Sequence, residues 1–165
     1  MKTLILVRHA KSSWDDITQK DFDRPLNDRG KKEAPEMAKR LKEKGIKPDL
    51  IVSSPAKRAK KTARLFAEEF HISKDDITLV EGLYEPSLAS FQTTVSNLPD
   101  GSDTVAIFSH NPAITEFVNT LSNVHVDDMP TCGVFAVSID TTTWTNYAAS
   151  EAKFLFFDYP KNPMG

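Results

Sequence analysis

Two arginines and two histidines stand where apolar runs give way to polar residues. Arg8 and His9 follow Leu4-Ile5-Leu6-Val7, Arg58 comes one turn beyond Ser53-Ser54-Pro55, and His110 follows Ser109 at the end of Thr104-Val105-Ala106-Ile107-Phe108. An arginine presents a planar fork of donors to phosphate oxygens and keeps its charge at any working pH. A neutral imidazole offers a lone pair to phosphorus, and a second, protonated imidazole stabilises an oxygen in the transition state. Gathered in one pocket, these four side chains suit phosphoryl transfer, and neither step demands a metal. Other phosphate-handling patterns are missing: there is no Gly-rich loop ending in Lys-Ser/Thr, no Cys-x5-Arg loop and no carboxylate cluster at metal-ligand spacing.

The four groups act together only if the strands that carry them are neighbours. Short β-branched runs alternate with helical patterns, which predicts an α/β domain, a three-layer αβα sandwich around a mainly parallel sheet. In such sheets ligands bind outside the carboxyl ends of the strands, where helix N-termini also point. Strands are predicted over 3–7, 49–53, 77–80 and 104–108, with two late runs over 134–139 and 154–157 read as antiparallel additions. A helix after Asn27-Asp28 carries Ala34, Met37, Ala38 and Leu41 on one face and stops at Gly45. Pro35 interrupts that helix if it starts at Asp28 and is harmless if it starts later. Ser54-Pro55 reads as an N-cap and first helical residue before Ala56, Ala59, Ala63, Phe66 and Ala67. A third helix is predicted over 87–98, Ser109 is expected to cap a fourth, and 161–165 reads as a frayed tail.

The 165 residues are expected to form one domain spanning 1–165, and 21 Lys and Arg against 23 Asp and Glu give no electrostatic case for nucleic acid or a membrane surface. Any anion site must be local. Cys132 is the single cysteine, so no internal disulfide forms, and it is expected to be a small buried side chain. No apolar run reaches the ~20 residues that span a bilayer, and the N-terminal run does not read as a signal peptide. A cytoplasmic protein without cofactor or metal is the expectation.

Four segments in order, VRHAKSSW, DFDRPLNDRGKKEA, SSPAKRAKKTA and SHNP, resemble the histidine phosphatase superfamily, and within it the small SixA-type phosphohistidine phosphatases. The resemblance covers about residues 3–120 and implies a phosphoglycerate mutase-like fold. It implies that His9 is the nucleophile that becomes transiently phosphorylated and that Arg8, Arg58 and His110 form the phosphate pocket. Arg24 would lie near the mouth of the site in a binding role, and Ser12 would give a hydroxyl or backbone donor to the phosphate. Three positions depart from the wider superfamily. Ala10 stands where glycine is usual, Asn111 follows His110 where the acid phosphatase branch has its Asp proton donor, and the large cap insertion between the second and third strands is absent. Glu81 and Glu85 are then the candidates for a general acid. The implied partner is a phosphorylated protein bearing phosphohistidine, or a small phosphorylated metabolite. The alternative class is a phosphate-recognising module that lost turnover.

Several of these residues have plainer readings. Lys57, Lys60 and Lys61 read as a solvated helix face, and Arg24 pairs equally well with Asp21 or Asp23. Ser53 and Ser54 read as structural, Glu81 and Glu85 as loop carboxylates. Trp14 and Tyr84 either flank the entrance or simply pack.

Overall fold

Residues 1–163 are described by the structure, a computed structural model. Strand β1 (Lys2–Arg8) leads through a loop into helix α1 (Asp28–Glu43), and β2 (Leu50–Ser53) into α2 (Lys57–Glu69). The short β3 (Thr78–Leu79) precedes α3 (Leu88–Ser96), and β4 (Thr104–Ser109) precedes α4 (Ala113–Val118). Strands β5 (Val134–Ile139) and β6 (Ala152–Asp158) complete a six-stranded sheet of order β3-β2-β4-β1-β5-β6. The first four of these run parallel, and β5 and β6 are antiparallel additions at one edge. The predicted mixed α/β architecture is therefore the observed one.

Alternation along β1 explains the layers. Leu4 and Leu6 face one side, where they meet Val95 and Phe91 of α3 and Ile114 and Phe117 of α4. Ile5 and Val7 face the other, where Ala34, Met37 and Leu41 of α1 and Ala63 and Phe66 of α2 cover them. Side chains two apart on a strand share a face, so one buried strand feeds both cores. Each fully buried Leu, Ile or Phe contributes about 1.5–3 kcal/mol.

Local chemistry sets the helix starts, with departures from the sequence reading. Asn27 caps α1 by accepting from Gly30 N–H at 2.8 Å. The helix does start at Asp28 and runs through Pro35, losing one backbone bond there and relying on its buried face. Ser87 caps α3 within a reciprocal capping box with Ser90. Ser54 does not cap α2; that helix begins at Lys57, because the Ser54 hydroxyl is taken by Ala56 N–H and His110. Ser109 does not cap α4 either: it ends β4, and its hydroxyl donates to Leu83 O at 2.7 Å. The frayed tail expected over 161–165 falls only in part within the described residues. Asn162 bonds Asp158 at 3.0 Å and Arg40 donates to Tyr159 O and Pro160 O, so residues 161–163 form a tethered turn; 164–165 lie outside the described residues. Among the described residues no helix is long and apolar enough to cross a membrane.

Candidate active site

Strand β4 lies between β1 and β2, so the three chain segments that carry the polar residues leave the sheet side by side. Val7 and Arg8 pair with Phe108 and Ser109, and Ser53 with Phe108. The ladder continues just past the strand ends, with His9 N–H on Ser109 O at 3.2 Å and Ser54 N–H on Phe108 O at 2.9 Å. The condition set by the sequence is met: Arg8, His9, Arg58 and His110 line one cleft of about 220 Å³, with Ser12 and Arg24 on its wall. The His9 and His110 ring centroids are 5.1 Å apart.

His9 is held from several sides. Its Nδ1 lies 2.8 Å from Ala10 O, and because a carbonyl only accepts, Nδ1 carries the proton and Nε2 keeps its lone pair. Arg58 Nε points at that lone pair from 3.4 Å. Cys132, buried and with φ of 60°, donates its backbone N–H toward both Arg8 O and His9 O at 3.0 Å. Thr62 accepts from Ala10 N–H at 3.0 Å and donates to Arg58 O at 2.8 Å, fixing the His9 loop against the first turn of α2. Burial holds His9 well below its usual 6.5, and His110, Arg58 and Arg8 push the same way; the Ala10 hydrogen bond opposes them and loses.

His110 is neutral for the same reasons, held down to about 3 by burial and then by Arg58, against the pull of Asp21. Its Nε2 lies 2.7 Å from Ser54 Oγ, which also accepts from Ala56 N–H at 3.2 Å. A serine hydroxyl has one proton and two lone pairs, so it can donate to Nε2 or accept from it while it also holds Ala56 N–H, and the contact orients the His110 ring. Ser54 thus aims the ring.

Asp21, in a 3₁₀ turn at Asp21–Asp23, joins the guanidiniums. Arg58 donates to Asp21 O at 2.7 Å and to its carboxylate at 3.0 Å, Arg24 donates to the carboxylate at 3.2 Å, and the Tyr84 hydroxyl does so at 2.8 Å. Burial pulls Asp21 upward, yet these donors outweigh it and hold the carboxyl at about 2. Tyr84 is pushed up to about 12 by burial and by Asp21. Arg24 takes Asp21 rather than Asp23, donates also to Ser12 Oγ, and stacks over Trp14 at 3.7 Å. A short antiparallel bridge between Ser12 and Leu26, with Ser13 N–H on Pro25 O at 2.8 Å, brings that segment to the cleft.

Arg8 donates from Nη1 to Met129 O at 2.8 Å. Three buried nitrogens at the cleft, Arg8 Nε, Arg24 Nε and His110 Nδ1, make no hydrogen bond. Glu81 and Glu85 are exposed and do not line the cleft, although Glu85 lies near enough to raise Tyr84. Among the described residues no three His, Cys, Asp or Glu side chains form a group able to hold a metal ion. Sequence reasoning missed Asp21, Ser54, Thr62 and Cys132 as parts of the site; only Asp21 carried a signal, as one of two acidic residues beside Arg24.

The sequence matches the family described as Histidine phosphatase superfamily (branch 1) over residues 4–98. The chain belongs to that superfamily. An uncharacterized chloroplastic protein of Arabidopsis thaliana is 30% identical over 152 residues, covering 87% of this chain and 69% of that protein. A 2,3-bisphosphoglycerate-dependent phosphoglycerate mutase of Bartonella henselae is 34% identical over 82 residues, 48% of this chain and 39% of the mutase. The protein histidine phosphatase SixA complexed with tungstate has a similar structure, with a TM-score of 0.81 at 20% identity over 96% of this chain and 97% of that one. That likeness is one of fold, and it extends from the first strand to the last. Membership places the chain among phosphatase-type enzymes, with the phosphoglycerate mutase-like fold the sequence implied.

Proposed function

We propose that the protein is a phosphohistidine phosphatase that works through a phosphorylated His9. His9 Nε2 attacks phosphorus in line, forming the P–N bond as the bond to the leaving nitrogen breaks. Water then attacks the phosphohistidine, inorganic phosphate departs, and His9 is neutral again. Arg8, Arg58 and His110 hold the equatorial oxygens, and Arg24 with Ser12 binds at the rim. The observation that carries this reading is the single cleft that Arg8, Arg24, Arg58 and His110 line together with a His9 whose Nε2 keeps its lone pair. Cationic donors gathered with no carboxylate on the cleft wall favour a tetrahedral oxyanion.

The choice of substrate follows from proton supply. An alkoxide leaving group needs a general acid worth ~10² to 10⁴ in rate. No carboxylate lines the cleft, Asp21 is held ionised at about 2, and Glu81 and Glu85 stand outside in solvent. An imidazole leaving group relaxes that demand, since it departs readily once protonated. The uncapped cleft also admits a side chain carried on another protein. Tungstate, the ligand named for the SixA structure, is a tetrahedral oxyanion of the kind this pocket would take.

The test is a phosphoenzyme trap with a histidine-phosphorylated protein. Wild type should form an acid-labile phosphoenzyme and release phosphate, and a folded His9→Ala variant should do neither. Phosphoenzyme retained in His9→Ala would refute the assignment. A wild type that binds tungstate but never becomes phosphorylated would leave only a binding module. A strong preference for small phosphomonoesters, lost in Glu81→Gln or Glu85→Gln, would move the substrate to phosphorylated metabolites.

A further inference from the structure

A second groove, of about 410 Å³, opens beside the cleft on a floor of Pro25 and Leu26. Its walls are Lys31 of α1 and Lys57, Lys60, Lys61 and Arg64 of α2. The groove continues from the cleft along the chain at two points: Pro25 follows Arg24, and Lys57 precedes Arg58, both cleft residues. No carboxylate lines it. Among the described residues none of its five cations takes part in an ion pair or side-chain hydrogen bond, although Arg24, Arg29, Arg40 and Arg58 all do.

This concentration runs against the balance of the whole chain, whose net charge is −2. Residues 57, 60, 61 and 64 also fall at the spacing that stacks side chains on one helix stripe, about 10 Å long at 1.5 Å per residue. Like charges at that spacing repel, and among the described residues none of the four is paired in an ion pair. No carboxylate interrupts the stripe between Lys57 and Arg64; the first one on it is Glu68, four residues further on. On the far side of Arg24, Trp14 is 70% exposed, so the rim of the cleft is built for contact with a surface larger than a phosphate.

We propose that this groove docks an acidic segment of the protein whose phosphohistidine enters the cleft. The inference rests on the phosphatase reading for the identity of the partner and on charge complementarity for its chemistry. An apolar floor between cationic walls matches a peptide that alternates carboxylates with small aliphatic side chains. Nucleic acid fits less well, because no aromatic side chain lines the groove to stack a base.

The experiment uses two synthetic peptides of equal length, each with one phosphohistidine, flanked in one by glutamates and in the other by glutamines. Wild type should turn over the acidic peptide with kcat/KM about 10-fold higher, the difference lying in KM and fading as salt is raised. The Lys61→Glu/Arg64→Glu variant should lose that preference while hydrolysing free phosphohistidine at the wild-type rate. Equal turnover of the two peptides by wild type, or a preference that survives the double substitution, overturns the proposal. Failure to hydrolyse either peptide would count against the phosphatase reading alone. The groove is then judged by fluorescence anisotropy with the unphosphorylated peptides. A glutamate preference lost in the variant supports docking, and no preference overturns it. Tighter binding of a single-stranded oligonucleotide or of anionic vesicles in the same titration also overturns it.

Discussion

His110 should make the protein acid-labile in a way one substitution reduces. In the folded state its imidazole is held at about 3, against 6.5 for an exposed histidine, by burial and by Arg58. The unfolded chain therefore binds the extra proton between those values, and stability rises with pH across the interval. Each such group contributes about 1.4 kcal/mol per pH unit, so His110 alone costs of the order of 4–5 kcal/mol by pH 3. His9 is depressed well below 6.5 and acts in the same direction. Near pH 5.5 His110 should give unfolding an uptake of about 0.9 proton, a slope of about 1.2 kcal/mol per pH unit, and His9 adds to it in the same direction. Asp21 adds its own loss only as pH falls below 3.8 toward about 2, outside that window. The assay is urea unfolding followed by tryptophan fluorescence between pH 5 and 6.5, urea being chosen because an ionic denaturant screens the charges at issue. His110→Gln should lower the slope by about 1.2 kcal/mol per pH unit while keeping a group able to meet Ser54. A wild-type slope of one proton or less, or a slope that the substitution leaves unchanged, would refute a neutral buried pair.

Two further substitutions probe how the site is held. Gly30→Ala places a methyl 2.2 Å from Lys11 O, a backbone atom that cannot step aside, so denaturation should show a loss of at least about 2 kcal/mol where helix propensity alone predicts a gain of about 1. Asp21→Asn removes the charge that Arg24, Arg58 and Tyr84 share. Tyrosinate absorbance should then show Tyr84 ionising below its present value of about 12, and kcat/KM should fall about 10- to 100-fold through a misplaced Arg58; an unmoved Tyr84 titration would show that the carboxylate is not the hub.

What could be read in the sequence was local. Arg8, His9 and His110 announce themselves because each follows an apolar run, and Arg58 because it sits one turn after another. The sheet itself was legible from the same alternation, down to the antiparallel pair at its edge. The order that puts β4 between β1 and β2 is a matter of packing both cores at once, and no window of residues contains it. Ser54 looked like a helix cap because Ser-Pro before a helix usually is one; its hydroxyl went instead to a histidine 56 residues away. Asp21 works at separations of 37 residues from Arg58 and 63 from Tyr84, so its role has no local sign beyond a carboxylate near Arg24. Cys132 read as inert packing, and its thiol is indeed buried and raised; its contribution is a left-handed backbone that turns one N–H onto two carbonyls.

In the proposed reaction the cations that would gather a phosphate would also keep His9 a nucleophile. A histidine at an ordinary strand end would be half protonated near pH 6.5 and would lose its lone pair as the solution acidifies. Here burial and the neighbouring Arg58 and Arg8 keep the proton off Nε2, while Ala10 O keeps the other proton on Nδ1. One arrangement therefore sets protonation, tautomer and aim. Its cost falls on the free protein, which must bury two imidazoles and the guanidiniums of Arg24 and Arg58. An arriving dianion reverses each of those terms, pairing the donors and favouring a protonated His110, so stabilisation by a bound oxyanion should be largest where the free protein is weakest, on the acid side of neutrality.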